Sequence, residues 1–133
     1  MERPCFLVVD REYPGGISTR KLVIETAKFN VLTAYDPEEG IQYLKRFPNV
    51  DGVVINAQVT DLDGCRQLIE TLQGIAPHIE IVITSASGFP RGGPNEHYVD
   101  NFDPKSLLAC LQSLKPDATE EIRARESMVR ESS

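Results

Sequence analysis

The chain has 133 residues, of which 41% are hydrophobic and 26% are charged, a composition typical of a globular domain with its own core. A net charge of −6, with scattered basic residues, argues against direct nucleic-acid binding, which depends on clustered lysine and arginine. No apolar run approaches the roughly 18 residues that a membrane span needs, and the first residues lack a signal-peptide pattern.

The chain contains three cysteines at wide spacing. Their odd number and spacing indicate neither a disulfide framework nor a zinc site. We therefore expect a cytoplasmic protein without a cofactor or a bound metal, and without contact with a membrane.

Apolar runs of strand length alternate along the chain with segments of helical period. Residues 6–9 form the first run, which ends at Asp10, and Ser18 is suited to cap the following helix. Residues 31–35 predict a second strand. The Asp-Pro pair at 36–37 then predicts a second helix, because aspartate is a good N-cap and proline is favoured in the first turn.

The third run, residues 53–55, ends at Asn56, and a helix with one apolar side follows the turn at 61–64. Residues 79–83 predict the fourth strand, which is the most β-branched of the set. Residues 87–96 come next and contain two prolines and three glycines. Because these residue types interrupt helices, we predict a loop there.

Residues 98–99 predict a short fifth strand, and the Asp-Pro pair at 103–104 predicts the start of a leucine-rich helix. Residues 117–133 are rich in Glu and Arg and have few apolar side chains, which favours a solvated tail or a linker. Their charge spacing is also compatible with an extended helix. We therefore divide the chain into a domain over residues 1–116 and a charged tail, linker or helical extension over residues 117–133.

Strands separated by helices predict an α/β fold with a five-stranded parallel sheet covered on both faces. In such a sheet, ligands bind beyond the carboxyl ends of the strands. The candidate site residues at these ends are Asp10, Arg11, Asn56, Ser85 and Asp100.

Four short motifs resemble those of response-regulator receiver domains from two-component signalling. They are a strand with an acidic corner (6–10), an Asp-x-Asp-Gly turn (61–64), a strand ending in Thr/Ser-Ala (83–86), and part of a Lys-Pro-Phe-Asp-Pro signature (101–104). They occur in the right order over residues 4–115. The resemblance implies a doubly wound CheY-like, or flavodoxin-like, fold with strand order 2-1-3-4-5, whose fourth helix is shortened or replaced by the loop.

The same resemblance marks what this chain lacks. Receivers carry the phosphate-accepting aspartate seven residues before the aspartate of the Asp-Gly turn, and here Asp63 counts back to Asn56. The acidic pair that holds Mg²⁺ in receivers becomes Asp10 and Arg11, and the receiver lysine corresponds to Asp100. A neutral amide cannot form an acyl phosphate, and a guanidinium is not a metal ligand.

The resemblance therefore implies a degenerate receiver, or pseudo-receiver, that is not an enzyme and acts through phosphorylation-independent protein–protein interaction. We expect Arg11 to neutralise Asp10 in place of the metal and the lysine, with an orientation into solvent as the alternative. We expect Asn56 to hydrogen-bond Ser85 or the backbone.

We expect the partner to be a protein of a signalling pathway or a second copy of the chain. The loss of the fourth helix predicts an uncovered side of the sheet near the fourth and fifth strands, which proteins normally cover. The loop itself, anchored by Phe89, is one candidate cover, and a second copy or a different partner is the alternative. The candidate surface residues are Phe89, Tyr98, Phe102, Leu107 and Leu111.

Two other functions compete with this interpretation. One is a phosphorylatable receiver that uses a stand-in carboxylate from Asp10, Asp61 or Asp63. The other is a flavodoxin-like domain that binds a small ligand, although neither glycine pair of the sequence gives a nucleotide-binding motif.

Overall fold

The computed structural model describes residues 3–11, 18–86, 93, 95–101 and 103–132, with side chains up to residue 129. Five strands form one parallel sheet in the order β2-β1-β3-β4-β5. The strands are β1 (Cys5–Val9), β2 (Asn30–Ala34), β3 (Gly52–Asn56), β4 (Glu80–Ser85) and β5 (Glu96–Asp100). The predicted doubly wound fold and its strand order are confirmed.

Five α-helices accompany the sheet in the described residues: α1 (Thr19–Thr26), α2 (Pro37–Arg46), α3 (Leu62–Ile75), α4 (Pro104–Leu114) and α5 (Pro116–Ser132). The first four begin at a side chain that accepts a hydrogen bond from a first-turn backbone N–H, which satisfies one of the free donors at a helix N-terminus. These caps are Ser18, Asp36, Asp61 and Asp103. The predicted cap at Ser18 and both Asp-Pro helix starts are confirmed.

The sheet is buried between two helical layers. α2 and α3 cover one face, where Leu7 and Val9 of β1 enter the core, and α1 and α4 cover the other face, where Phe6 and Val8 enter it. All four side chains have 0% exposure. Successive strand residues point to opposite faces, so a strand that is buried on both sides reads as a continuous apolar run.

The connection between β4 and β5 is described only in part. Of the predicted loop over residues 87–96, Gly93 and Asn95 are not helical and Glu96 already belongs to β5, while residues 87–92 and 94 lie outside the described residues. The expectation of an uncovered sheet is wrong for β4. Ile81 and Ile83 point to the face covered by α3, and both have 0% exposure.

The charged C-terminal stretch forms α5, the helical alternative of the prediction. Thr119 and Ile122 are buried, and Ile122 joins the apolar layer of α1 and α4. Met128 and Val129, in the second half of α5, are each 68% exposed. Among the helices of the described residues, none has both the length and the apolar character that a membrane span requires.

Gly52, at the start of the central strand β3, provides a test of the packing within the sheet. A Cβ atom on Gly52 would lie 2.7 Å from Cε1 of Phe6 and 2.9 Å from the backbone oxygen of Glu80. Gly52→Ala should therefore lower the free energy of unfolding by about 1–3 kcal/mol. Gly74→Ala is the matched control. Gly74 lies in α3, and a Cβ atom there would meet no neighbouring atom within 4 Å. Because alanine favours a helix over glycine, this variant should raise the free energy of unfolding by roughly 0.5–1 kcal/mol. Urea denaturation measures both, and equal effects would contradict the packing.

Candidate functional site

Three polar side chains lie in one row at the carboxyl edge of the sheet. Val9 pairs with Ile55, so Asp10 lies level with Asn56, which itself pairs with Thr84. The exposures of Asp10, Asn56 and Thr84 are 0%, 0% and 1%. This edge is where open parallel sheets bind ligands, and polar groups buried there need hydrogen-bond partners.

The Asp10 carboxylate accepts four hydrogen bonds from described residues. Oδ1 accepts from the backbone N–H of Arg11 at 2.8 Å and from Nδ2 of Asn56 at 2.9 Å. Oδ2 accepts from the Ser18 hydroxyl and from Nε of Arg20, the latter at 2.6 Å. A carboxylate offers about four lone-pair sites, so these donors already match its capacity.

Arg20 supplies the positive charge of the site. It is the second residue of α1, and its side chain is only 7% exposed. Besides the ion pair with Asp10, its Nη1 donates to Oδ1 of Asn101 at 2.7 Å. The guanidinium therefore joins the end of β1 to the turn after β5, using the fixed fork of donors that distinguishes arginine from lysine.

These contacts decide the charge of Asp10. Burial acts to raise the pKa of its carboxyl group, but hydrogen bonds from Ser18, Asn56, Arg20 and the Arg11 backbone outweigh burial and hold the pKa below the ordinary value of 3.8. The group is therefore ionised at neutral pH, and the pocket contains a carboxylate–guanidinium pair.

Asn56 stands at the position that the resemblance assigns to the phosphate-accepting aspartate. Its Nδ2 donates to Asp10, and its Oδ1 accepts from the backbone N–H of Gln58 at 2.9 Å, which caps the short 3-10 turn Ala57–Val59. The two partners require opposite ends of the amide, which fixes its orientation. The side chain is therefore held at both ends.

The structure corrects the hypothesis for Arg11. This residue is exposed, and the guanidinium that neutralises Asp10 belongs to Arg20. Ser85 is half-buried and pairs with the exposed Asp100 on β5, at the same edge of the sheet. Of the five predicted site residues, Asp10 and Asn56 are in direct side-chain contact.

The predicted partner surface also needs correction. Leu107 and Leu111 are 3% and 0% exposed and belong to the apolar layer between α4 and the sheet. They face the core because they lie on the stripe of α4 that covers β-strand residues. Phe89 and Phe102 lie outside the described residues.

Tyr98 is the half-buried centre of a polar network between α3 and β5. Its hydroxyl donates to Oε1 of Glu96 at 2.7 Å and accepts from Nη2 of Arg66 at 3.0 Å. Arg66 also pairs with Glu96 at 2.7 Å. Burial acts to raise the pKa of Glu96, and its hydrogen bonds outweigh burial and lower it. The network links α3 to β5.

Several residues of the site escaped the sequence interpretation. The sequence identifies Ser18 only as a helix cap and Asn101 only as part of the motif over residues 101–104, and it gives Arg20 no role. The position of Arg20 could have indicated its role. It lies in the first turn of the helix that follows β1, and such a turn lies at the carboxyl edge of a parallel sheet, next to the ligand site. The Thr84 hydroxyl finds no hydrogen-bond partner among the residues that the structure describes.

The resemblance implies a Mg²⁺ site at Asp10, and the residues present do not fit one. Mg²⁺ needs oxygen lone pairs in a near-octahedral arrangement. The lone pairs of Asp10 face hydrogen-bond donors, one of them a cation, and the next residue is Arg11 rather than an acid. Within the described ranges, no group of three His, Cys, Asp or Glu side chains is arranged to hold a metal.

No family model matches the sequence, and no curated protein matches it. Solved structures do match the fold. A response regulator receiver protein from Sinorhizobium medicae WSM419 superposes with a TM-score of 0.68 at 20% identity, covering 88% of this chain and 98% of that one. A receiver domain protein from Bacillus halodurans C-125 gives 0.71 at 16% identity, covering 88% and 100%.

A third match is the chemotaxis protein CheY4 of Vibrio cholerae, with a TM-score of 0.63 at 17% identity over 84% of this chain and 98% of that one. The chain therefore has the fold of response-regulator receiver domains. At these identities the likeness concerns the fold, and the function has to be argued from the site.

Arg20→Met tests the ion pair. The variant leaves the buried Asp10 carboxylate without its counter-charge, so the free energy of unfolding should fall by about 3–5 kcal/mol. Arg11→Gln is the matched control. It removes one positive charge from the residue that follows Asp10 in the sequence, and it keeps the backbone N–H of residue 11 that donates to Asp10. It should change the free energy of unfolding by less than about 0.5 kcal/mol. If urea denaturation gave both variants the same free energy of unfolding, the assignment of Arg20 as the counter-charge of Asp10 would be contradicted.

The low pKa of Asp10 predicts a pH dependence. Because the folded-state pKa lies below the unfolded value of about 3.9, ionised Asp10 stabilises the fold above that pH. This stabilisation is lost as the pH falls through the folded pKa. The carboxyl ¹³C shift of Asp10 should stay that of an ionised group at a pH where a model peptide is protonated. Urea denaturation from about pH 6 to about pH 2 should show the matching loss. Titration at the model-peptide value would contradict it.

Proposed function

We propose that this chain is a pseudo-receiver, a receiver-fold domain of a two-component-type signalling protein that acts through phosphorylation-independent protein–protein interaction. The observation that carries the proposal is Asn56, whose amide is hydrogen-bonded at both ends in the phosphoacceptor position. A side-chain amide lacks the nucleophilic carboxylate oxygen that attacks a phosphoryl donor, so it forms no acyl phosphate.

The charges around Asn56 support the same conclusion. Phosphoryl transfer depends on cations that neutralise the transferred group. The buried cation of this site, Arg20, is already paired with Asp10 at 2.6 Å. Asp100 places an acidic side chain at the end of β5, where the resemblance assigns a lysine. At these positions an added phosphoryl group would therefore find neither the acidic pair that holds a metal nor the lysine.

A phosphorylation switch needs two conformations that the modification distinguishes. Here Asp10 is tied to Ser18, Arg20 and Asn56, and Arg20 is tied onward to Asn101. These contacts favour one arrangement of the carboxyl edge. We therefore propose that the domain presents a fixed surface to its partner.

The partner surface that we propose is centred on β5. Tyr98 and Arg66 are half-buried and held together through Glu96, so both are ordered before a partner arrives. Tyrosine and arginine are among the residue types enriched at the energetic centre of protein interfaces, and pre-ordering lowers the entropy cost of binding. The partner is a signalling protein or a second copy of this chain.

A stand-in phosphoacceptor has less support. Asp10 is buried and engaged by four donors. The Oδ1 atom of Asp61 accepts the Gly64 N–H at 2.7 Å as the cap of α3, and Asp63 is exposed in the first turn of that helix.

Acetyl phosphate tests the proposal directly. The intact chain, incubated with acetyl phosphate and MgCl₂, should show no mass gain, because Asn56 offers no carboxylate to the phosphoryl group. A phosphorylatable receiver domain in the same reaction serves as the assay control. A stoichiometric gain of about 80 Da would overturn the proposal, and peptide mapping would then identify the stand-in residue.

A further inference from the structure

The Arg20 guanidinium contacts two segments that are far apart in the sequence. Nε donates to Asp10 at the end of β1 at 2.6 Å, and Nη1 donates to Asn101 after β5 at 2.7 Å. The side chain is 7% exposed, and the contact with Asp10 is buried, while the contact with the half-buried Asn101 is partly buried. One planar group therefore bridges the carboxyl ends of two non-adjacent strands.

A buried carboxylate requires a counter-charge, because an isolated buried ion costs several kcal/mol or more. The resemblance to receivers implies that a metal ion and a lysine supply this counter-charge there. Here the counter-charge belongs to α1 and is present whatever the ionic conditions. A free divalent cation would have to shed water and displace the guanidinium from Oδ2 of Asp10, and Mg²⁺ sheds water reluctantly.

The bridge also reaches the start of α4. The backbone N–H of Asn101 donates to the Ser85 oxygen at 3.0 Å, and that of Asp103 donates to the Asp100 oxygen at 3.1 Å. Asp103 then caps α4 through the N–H of Ser106 at 3.1 Å. Arg20 therefore anchors the first residue of the turn that leads from β5 into α4.

We infer that Arg20 is a built-in cation that excludes divalent metal from the pocket and holds the turn from β5 to α4 in one conformation. This inference rests on the proposed function for its comparison with receivers, and it names what fixes the presented surface. Arg20 is a positioning residue, since it acts on the turn through Asn101.

Amide hydrogen exchange tests the anchoring. Asn101→Ala removes the Nη1 contact and keeps the Asp10–Arg20 pair, so the variant is expected to fold. Protection should be lost at the N–H groups of Asn101, Asp103 and Leu107, which are hydrogen-bonded in and after the turn, and retained in β1 and β3. Arg11→Gln should exchange like the unaltered chain. Unchanged exchange in Asn101→Ala, or a uniform increase throughout the sheet, would overturn the anchoring.

A MgCl₂ titration followed by NMR tests the exclusion of metal. The amide signals of Asp10 and Asn56 should not move in the unaltered chain or in Arg11→Gln. They should move in Arg20→Met, because Asp10 then lacks a cation. Movement in the unaltered chain, or none in a folded Arg20→Met, would overturn the exclusion. If Arg20→Met does not fold, the titration of the unaltered chain and the exchange of Asn101→Ala still decide the inference. Failure of the proposed function would show separately, as a mass gain with acetyl phosphate.

Discussion

The ionised carboxylate of Asp10 lies at the end of β1 with no exposure to solvent, and much of the carboxyl edge is organised around it. A charge in that position must be hydrogen-bonded and paired, or it destabilises the fold. The donors come from the Arg11 backbone, from Ser18 and Arg20 at the start of α1, and from Asn56 on β3. Satisfying one carboxylate therefore fixes where α1 begins and how β1 and β3 are joined at their ends.

This arrangement gives the proposed function its physical basis. The oxygens of Asp10 would be needed by a metal ion, yet they face donors, and the amide of Asn56 is used at both ends. The Tyr98 network ties α3 to β5 in a similar way, with the Glu96 carboxylate accepting from the Tyr98 hydroxyl, the Arg66 guanidinium and the Gly93 backbone N–H. Both networks use charge-assisted hydrogen bonds, which are stronger and more directional than neutral ones and favour a single conformation.

Much of the fold follows from local signals. The Asp-Pro pairs start α2 and α4 because cap and proline act within one helical turn, and the continuous apolar runs give the buried strands. Leu107 and Leu111 are among the residues predicted at a partner surface, although their spacing on α4 is that of a core-facing stripe. The C-terminal helix was the less favoured alternative, because low hydrophobicity does not reveal that Ile122 finds a place in the core.

The sequence by itself determined the order of the five strands and the first four helices, three of the helix caps, and the presence of asparagine seven residues before Asp63. These features depend on residue type and on short spacing along the chain. Only the tertiary structure decided that Arg20, and not Arg11, pairs with Asp10. The reason is that the choice depends on how α1 packs back onto the sheet. The bridge from Arg20 to Asn101 spans 81 residues, and the contact of Asn56 with Asp10 spans 46, distances that local patterns do not encode.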